Sequence, residues 1–188
     1  MRMAVQRVTR ARVTVGSETT GEIGPGLLLL LGVGREDSVE TCRRMASKVA
    51  RMRIFDDAAG KMNLSLLDTH GQALVVSQFT LYADTSRGLR PSFTNAGGPA
   101  RAKELYERFV SELSYLGVPT RTGRFGAHMA VELVNDGPVT LMLEEPATVN
   151  PQTAQIQGSG TGDQGSEPEP RTPTPEPRPL SERSTDSG

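Results

Sequence analysis

The chain has 188 residues, of which 36% are hydrophobic and 23% charged, and its formal net charge is −1; this balance gives no bulk electrostatic sign of a nucleic-acid or membrane binder. Two His, one Cys and no Trp exclude an internal disulfide and leave no spacing of ligands for a metal centre, so no metal and no cofactor are expected. The opening MRMAVQRVTRARVTV is too charged for a secretory leader, and no apolar run is long enough to span a bilayer, so a cytoplasmic protein without membrane contact is expected.

Residues 4–15 alternate and are rich in Val and Thr, the pattern of a strand. Gly24-Pro25-Gly26 is a turn, and the uniform run Leu27 to Val33 reads as a strand buried on both faces. Asp37 with Glu40 three residues on resembles a capping box, and behind it Val39, Cys42, Met45, Ala46, Val49 and Met52 fall at helical spacing. Cys42 is therefore a core residue rather than a nucleophile. Residues 56–60 form a turn, and Ala73 to Phe79 is a second apolar strand. The segment Ala83 to Pro99, with its Gly and Pro residues, is a long loop of the kind that carries function.

A second helix runs from Pro99 to Leu116, with Leu105, Phe109, Leu113 and Leu116 facing inward and Val118-Pro119 stopping it. Thr120–Arg124, Met129–Val134 and Val139–Glu144 read as three strands, with Asn135-Asp136-Gly137-Pro138 as the last connection. Many strands with two inserted helices make an α+β fold, a barrel-like mixed β-sheet with two main helices packed outside.

From Pro146 the composition changes. Residues 146–188 hold eight of the thirteen prolines and no aromatic residue, too little apolar surface to offset the entropy of ordering. The expectation is a folded domain over 1–145 and a disordered Pro/Gly/Ser/Glu-rich tail that is dispensable for the domain. The tail carries six acidic and three basic residues, so the domain alone is +2. Local clusters such as Arg7, Arg10 and Arg12, or Arg121 and Arg124, are compatible with either a nucleic-acid patch or a solvated strand face.

The common catalytic patterns are missing. There is no G-x-S-x-G elbow, no H-x-x-x-H, no C-x-x-C and no Walker loop. His70 sits in an expected turn and His128 precedes a strand, and both read as surface histidines. What remains is Ser77-Gln78-Phe79-Thr80-Leu81 and Asn135-Asp136-Gly137-Pro138-Val139-Thr140, two stretches at the ends of apolar runs, where a sheet delivers residues to its rim. An X-Pro bond has only a small trans preference, so a turn can hold Gly137-Pro138 cis and orient two neighbouring carbonyls. Read singly, Ser77-Gln78 is also compatible with strand-end hydrogen bonding and Asp136-Gly137 with a hairpin turn.

At these residues the sequence resembles the D-aminoacyl-tRNA deacylase family. The resemblance runs through Gln6-Arg7-Val8, Gly24-Pro25-Gly26-Leu27-Leu28, Arg53-Ile54-Phe55, Gly60-Lys61-Met62-Asn63, Val76 to Leu81, Arg90-Pro91-Ser92-Phe93, Thr122-Gly123-Arg124-Phe125 and Val134 to Thr140. The tail lies outside it. What it implies is hydrolysis of the ester between a D-amino acid and the terminal ribose of tRNA, with glycine mischarged on tRNA(Ala) as a second substrate. It also implies a homodimer in which a cis Gly137-Pro138 of one subunit reaches into the pocket of the other. Their carbonyls would hold the substrate ammonium, and an L side chain would clash with the wall they form, which is selection by exclusion. Arg7 would brace that segment.

On the same pattern Ser77, Gln78, Phe79 and Thr80 form the catalytic side, with donors to the ester carbonyl. Thr80 is either a nucleophile or part of the wall while the RNA 2′-hydroxyl assists water. Phe125 either stacks on the terminal adenine or is a core residue. The rivals are a tRNA-binding module without catalysis and a relative with a trans Gly-Pro bond.

Overall fold

The computed structural model describes residues 1–147; apart from Pro146 and Ala147, the expected tail lies outside the described residues. Strand β1 (Arg2–Val15) is the hub. On one side it pairs antiparallel with β3 (Gly26–Gly32) through its first half and with β2 (Glu18–Ile23) through its second; on the other side it pairs antiparallel with β8 (Ala130–Glu144) along most of its length. Strand β6 (Gln72–Ser77) joins β3 in parallel, and β7 (Thr120–Thr122) joins β6 in parallel. The result is a mixed sheet in the order β2-β1-β3-β6-β7, with β8 on the far side of β1. A separate short hairpin pairs β4 (Phe55–Asp56) with β5 (Met62–Leu64).

The centre of the sheet is buried on both faces, and its central strand β3 is accordingly apolar at every step from Leu27 to Leu31. Leu27, Leu29 and Leu31 enter the larger core with Met3, Val5 and Val75, beneath the two helices α1 (Val39–Arg51) and α2 (Pro99–Tyr115). Leu28 points the opposite way, into a second cluster with Val8, Ala11, Val13, Ile23, Leu74 and Val76. This is the α+β, barrel-like mixed sheet with two helices outside that the pattern indicated. Cys42 is fully buried in α1, donates its thiol to the Leu105 carbonyl at 3.3 Å, and is pushed up to about 11 by burial, so it packs rather than reacts. Among the described residues no helix is long and apolar enough to cross a membrane.

Three local expectations are corrected. The α1 cap is Ser38, with Thr41 completing the capping box, in place of Asp37 and Glu40. Asp37 is occupied elsewhere: its buried carboxylate accepts from the Met1 ammonium at 2.6 Å and from Gly34 N–H at 2.7 Å. Strand β6 ends at Ser77 instead of Phe79, and a 3₁₀ turn, Phe79–Tyr82, follows. Finally, Met129–Val134 and Val139–Glu144 are not two strands joined by a hairpin. Both belong to β8 and run the same way along β1, Ala11 facing Leu133 and Val5 facing Leu141. Asn135-Asp136-Gly137-Pro138 is a bulge inside one strand: from Arg10 to Gln6 on β1 the chain advances four residues, and from Val134 to Thr140 on β8 it advances six.

The end of β8 is tied to α1 by Glu145, which is 8% exposed and accepts from Lys48 Nζ at 2.6 Å and Arg44 Nε at 2.7 Å. The Lys48 bond first, then the Arg44 bond, holds its carboxyl below the usual range. A depressed folded-state pKa stabilises the fold above the unfolded value and loses that contribution as pH falls through the folded one. Glu145→Gln is therefore expected to lower Tm by roughly 2–4 °C at pH 7. The difference should vanish in melts taken well below pH 4. A gap that persists there would assign the effect to packing instead of charge.

Candidate functional site

The first motif is assembled where β6 stops. Ser77 pairs with Leu31 of β3. Gln78 leaves the extended region at φ −143°, ψ 79°; its N–H still reaches the Leu31 carbonyl at 2.8 Å, while its own carbonyl accepts from Leu81 N–H at 3.3 Å. The chain thus bends off the sheet edge within one residue. Gly32 makes room for the bend, since a Cβ there would sit 3.0 Å from the Gln78 carbonyl oxygen and 3.2 Å from Leu81 Cβ. Arg2 pins the far end of the turn: it donates to the Leu81 carbonyl at 3.2 Å and lies 4.7 Å over the Tyr82 ring. Tyr82 is buried under this contact, and desolvation pushes its phenol pKa up, so its hydroxyl stays protonated.

The start of the turn displays its side chains outward. The Gln78 side-chain amide donates to Thr80 Oγ1, which is exposed. Phe79 is 60% exposed and meets the Phe93 ring edge-on at 5.0 Å between centroids. Behind them lies a cavity of about 310 Å³ bounded by Ser77, Gln78, Phe79, Gly97, Tyr106 and Phe125, among others. Its floor is fixed by α2, from which buried Tyr106 donates to the Val75 carbonyl at 2.9 Å. Phe125 is half-buried, with its ring 5.6 Å from that of Tyr106, so one face is packed while the residue also lines the cavity. The loop side is closed by Gly97, whose N–H donates to the Val33 carbonyl at 2.9 Å.

No residue lining this cavity is charged, and none is His, Lys or Cys. It can offer donors, shape and apolar contact, but no base of its own. His128 is exposed and borders the adjoining depression on the other side of Gln78, without a hydrogen bond or ion pair among the described residues. His70 is a turn residue with φ 51° on the far side, next to Gly71. Among the described residues no group of three or more His, Cys, Asp or Glu is placed to hold a metal ion.

The second motif is a separate construction. The Gly137-Pro138 peptide is cis, and both residues are exposed. The bulge is stitched by Asn135, whose side chain accepts from Val139 N–H at 2.9 Å and donates to the Val139 carbonyl at 3.1 Å. Arg7 braces it from below. In β1 the alternation that buries Met3 and Val5 continues to Arg7, so its guanidinium is carried inward and is only 5% exposed. It donates to the Asp136 carbonyl at 3.1 Å and to the Ile54 carbonyl at 2.8 Å, and pairs with the Asp136 and Asp56 carboxylates at 3.2 Å each.

The two motifs do not meet within one chain. Ser77 faces Leu31, which faces Met3, which faces Leu143, so Ser77 lies three strands from β8. Arg7 is four residues further along β1. At about 3.3 Å per residue and about 4.8 Å between strands, that is roughly 13 Å along and 14 Å across. Ser77, Gln78, Phe79 and Phe125 share the cavity; Arg7, Gly137 and Pro138 form the projecting bulge; Thr80 stands beside the cavity mouth on the turn. Sequence reasoning missed Tyr106 and Asp56. Tyr106 was detectable as an aromatic with Phe109 and Leu113 at i+3 and i+7, whereas Asp56 reads locally as a turn and nothing near it points to Arg7.

Comparison with known proteins gives a consistent result. Residues 4–144 match the model of the D-Tyr-tRNA(Tyr) deacylase family. A D-aminoacyl-tRNA deacylase of Deinococcus radiodurans is 59% identical over 144 residues, 77% of this chain and 99% of that one. One from Symbiobacterium thermophilum is 54% identical over 148 residues, 79% of this chain and 98% of the other. Among solved structures, the c-Myc DNA unwinding element binding protein superposes with a TM-score of 0.74 at 41% identity, covering 78% of this chain and all of that chain.

Proposed function

This chain belongs to the D-Tyr-tRNA(Tyr) deacylase family, and from that premise we propose that it hydrolyses the ester of D-aminoacyl-tRNA, releasing free tRNA and the D-amino acid in the cytoplasm. The observation that carries the reading is the cavity at the end of β6. It is apolar, rimmed by the Ser77-Gln78 segment, and free of any acid or base. Such a cavity suits an ester whose reacting group brings its own hydroxyl. Gln78 and the main chain of the turn donate to the carbonyl oxygen, while the ribose 2′-hydroxyl of the substrate assists attack by water. Thr80 serves as wall and as acceptor for the Gln78 amide.

The stereochemical part of the proposal needs a second copy. Gly137 and Pro138 project from the surface about 20 Å from the cavity of their own chain on the strand spacings above, and the outer edge of β8 has no strand neighbour among the described residues. A homodimer in which this projection closes the partner cavity brings the two motifs together. The Gly137 and Pro138 carbonyls then receive the α-ammonium and exclude an L side chain. Glycine, having no side chain to exclude, is admitted, so glycyl-tRNA(Ala) is a second substrate.

The test is release of amino acid from D-tyrosyl-tRNA, L-tyrosyl-tRNA and glycyl-tRNA(Ala), with the solution mass measured in parallel. The first and third should be cleaved and the second spared. Thr80→Ala and His128→Gln should each keep kcat within about tenfold, while a 2′-deoxy terminal adenosine should lose more than about a hundredfold. Loss of activity in Thr80→Ala with an active 2′-deoxy substrate would make Thr80 the nucleophile. A fully active monomer would remove the cross-subunit part.

A further inference from the structure

Positive charge that lacks any partner is concentrated around one loop. Among the described residues, six cationic side chains, those of Arg10, Arg35, Lys61, Arg87, Arg90 and Arg121, make neither an ion pair nor a side-chain hydrogen bond. Three of the six lie on the loop between the 3₁₀ turn and α2 or on the turn bonded to it. Asp84 and Ser92 exchange both backbone hydrogen bonds at 2.8 Å and close that loop into a short hairpin. Its tip carries Arg87, Leu89 and Arg90, all exposed, with Leu89 102% exposed. Arg35 stands on the β3–α1 turn, whose N–H donates to the Asn95 carbonyl at 3.1 Å.

The base of the hairpin is joined to the cavity. Phe93 rests against Phe79, and Gly97 is bonded to Val33. A path therefore runs from three free guanidinium groups, past an exposed Leu, to two aromatic rings at the cavity mouth. The carboxylates nearby lower the local charge but do not occupy the guanidinium groups: Asp84 turns its Oδ1 onto Ser86 N–H at 2.9 Å, and Glu36 adjoins Arg35 in sequence without pairing to it among the described residues. Elsewhere several surface arginines are neutralised, as in Arg12–Glu132, Arg101–Glu104 and Arg124–Glu18, and the other unpaired cations, Arg10, Lys61 and Arg121, lie on other elements. Unpaired cations leading to aromatic rings are what a single-stranded polyanion with flat bases recognises.

Resting on the deacylase reading above, we infer that the 85–91 hairpin tip, together with Arg35, clamps the phosphates of the single-stranded 3′ end of tRNA while its terminal nucleotide occupies the cavity. Leu89 offers an apolar contact to a base, and the Phe79–Phe93 pair marks the turn into the site.

The experiment compares the full chain with its Arg35→Gln/Arg87→Gln/Arg90→Gln variant. Uncharged tRNA binding is titrated across salt, hydrolysis is followed on D-tyrosyl-tRNA and on the phosphate-free ester D-tyrosyl-adenosine, and mass is read by sedimentation. Loss of three contacts to single-stranded phosphate should flatten the slope of log K against log salt by about two. Affinity for uncharged tRNA should fall at least about tenfold at low salt, with KM for D-tyrosyl-tRNA rising in step and kcat and the adenosine ester unaffected. An unchanged slope would overturn the clamp. Equal losses on both esters would make the hairpin a structural wall of the cavity, and dissociation of the variant would assign it to a contact between copies; either result also overturns the clamp. Should the unmodified protein hydrolyse neither ester, the deacylase reading fails, while the binding titration still decides the clamp.

Discussion

Gly137→Ala is expected to reduce kcat/KM for a D-aminoacyl ester at least about a hundredfold, corresponding to about 2.7 kcal/mol of transition-state stabilisation. The residue has φ +132°, a conformation that L side chains rarely adopt, and an added Cβ would lie 2.7 Å from Val139 Cγ2 and 2.8 Å from Val139 N. Something in the bulge must shift, and the groups nearest are the side chain and backbone of Val139 and the Arg7 guanidinium, 3.4 Å away. Because Gly137 is exposed, thermal stability should fall far less than activity. The L-ester should remain uncleaved, since a displaced wall still obstructs.

Gln78→Ala is the matching control. It removes the amide bonded to Thr80 on the carbonyl side of the site and should lower D-ester cleavage without admitting the L-ester. A Gln78 variant that gained L-ester cleavage would put stereochemical exclusion in the Ser77–Thr80 segment and reverse the roles proposed for the two motifs.

Arg7→Met should cost both stability and activity. Met retains the buried stem and deletes the guanidinium, leaving the Ile54 and Asp136 carbonyls and the Asp56 and Asp136 carboxylates without their shared donor. The carboxylates are about half exposed and recover solvation in part, so the net loss is about 2–3 kcal/mol, or roughly 6–10 °C in Tm. Arg7→Lys should fall between, because an ammonium carries the charge but cannot fork to four acceptors. Activity in both variants should fall with the loss of the fixed bulge. Wild-type melting and wild-type turnover in Arg7→Met would show that Asn135 alone holds Gly137 and Pro138.

Much of this architecture was legible because it depends on short-range patterning. The unbroken run Leu27 to Val33 indicated a strand with no solvent face, and Leu27, Leu28, Leu29 and Leu31 are all buried, alternately in the two cores. The spacing of Cys42, Met45 and Val49, and of Leu105, Phe109 and Leu113, gave two helices with one buried face each. Local chemistry misled where a long-range partner outbid it. Asp37 has the form of a helix cap, yet Gly34 and the Met1 ammonium claim both of its oxygens, and Ser38 caps instead.

The motif residues could be singled out from sequence as well, because hydroxyl, amide and Gly-Pro residues at the ends of apolar runs are poor choices for a core. Their arrangement could not. Asn135 to Pro138 carries the composition of a hairpin turn, and only the pairing of both flanking stretches with β1 shows it to be a bulge in one strand. That Arg7 serves this bulge depends on where β1 changes its pairing with β8, and Asp56 enters only because β4 passes within reach of the guanidinium. Hydrophobic period and turn composition act over a few residues and are written in the chain. Register across a sheet, and the partner of a buried charge, are set by contacts between residues up to 144 apart in sequence; they take form only when the sheet is assembled.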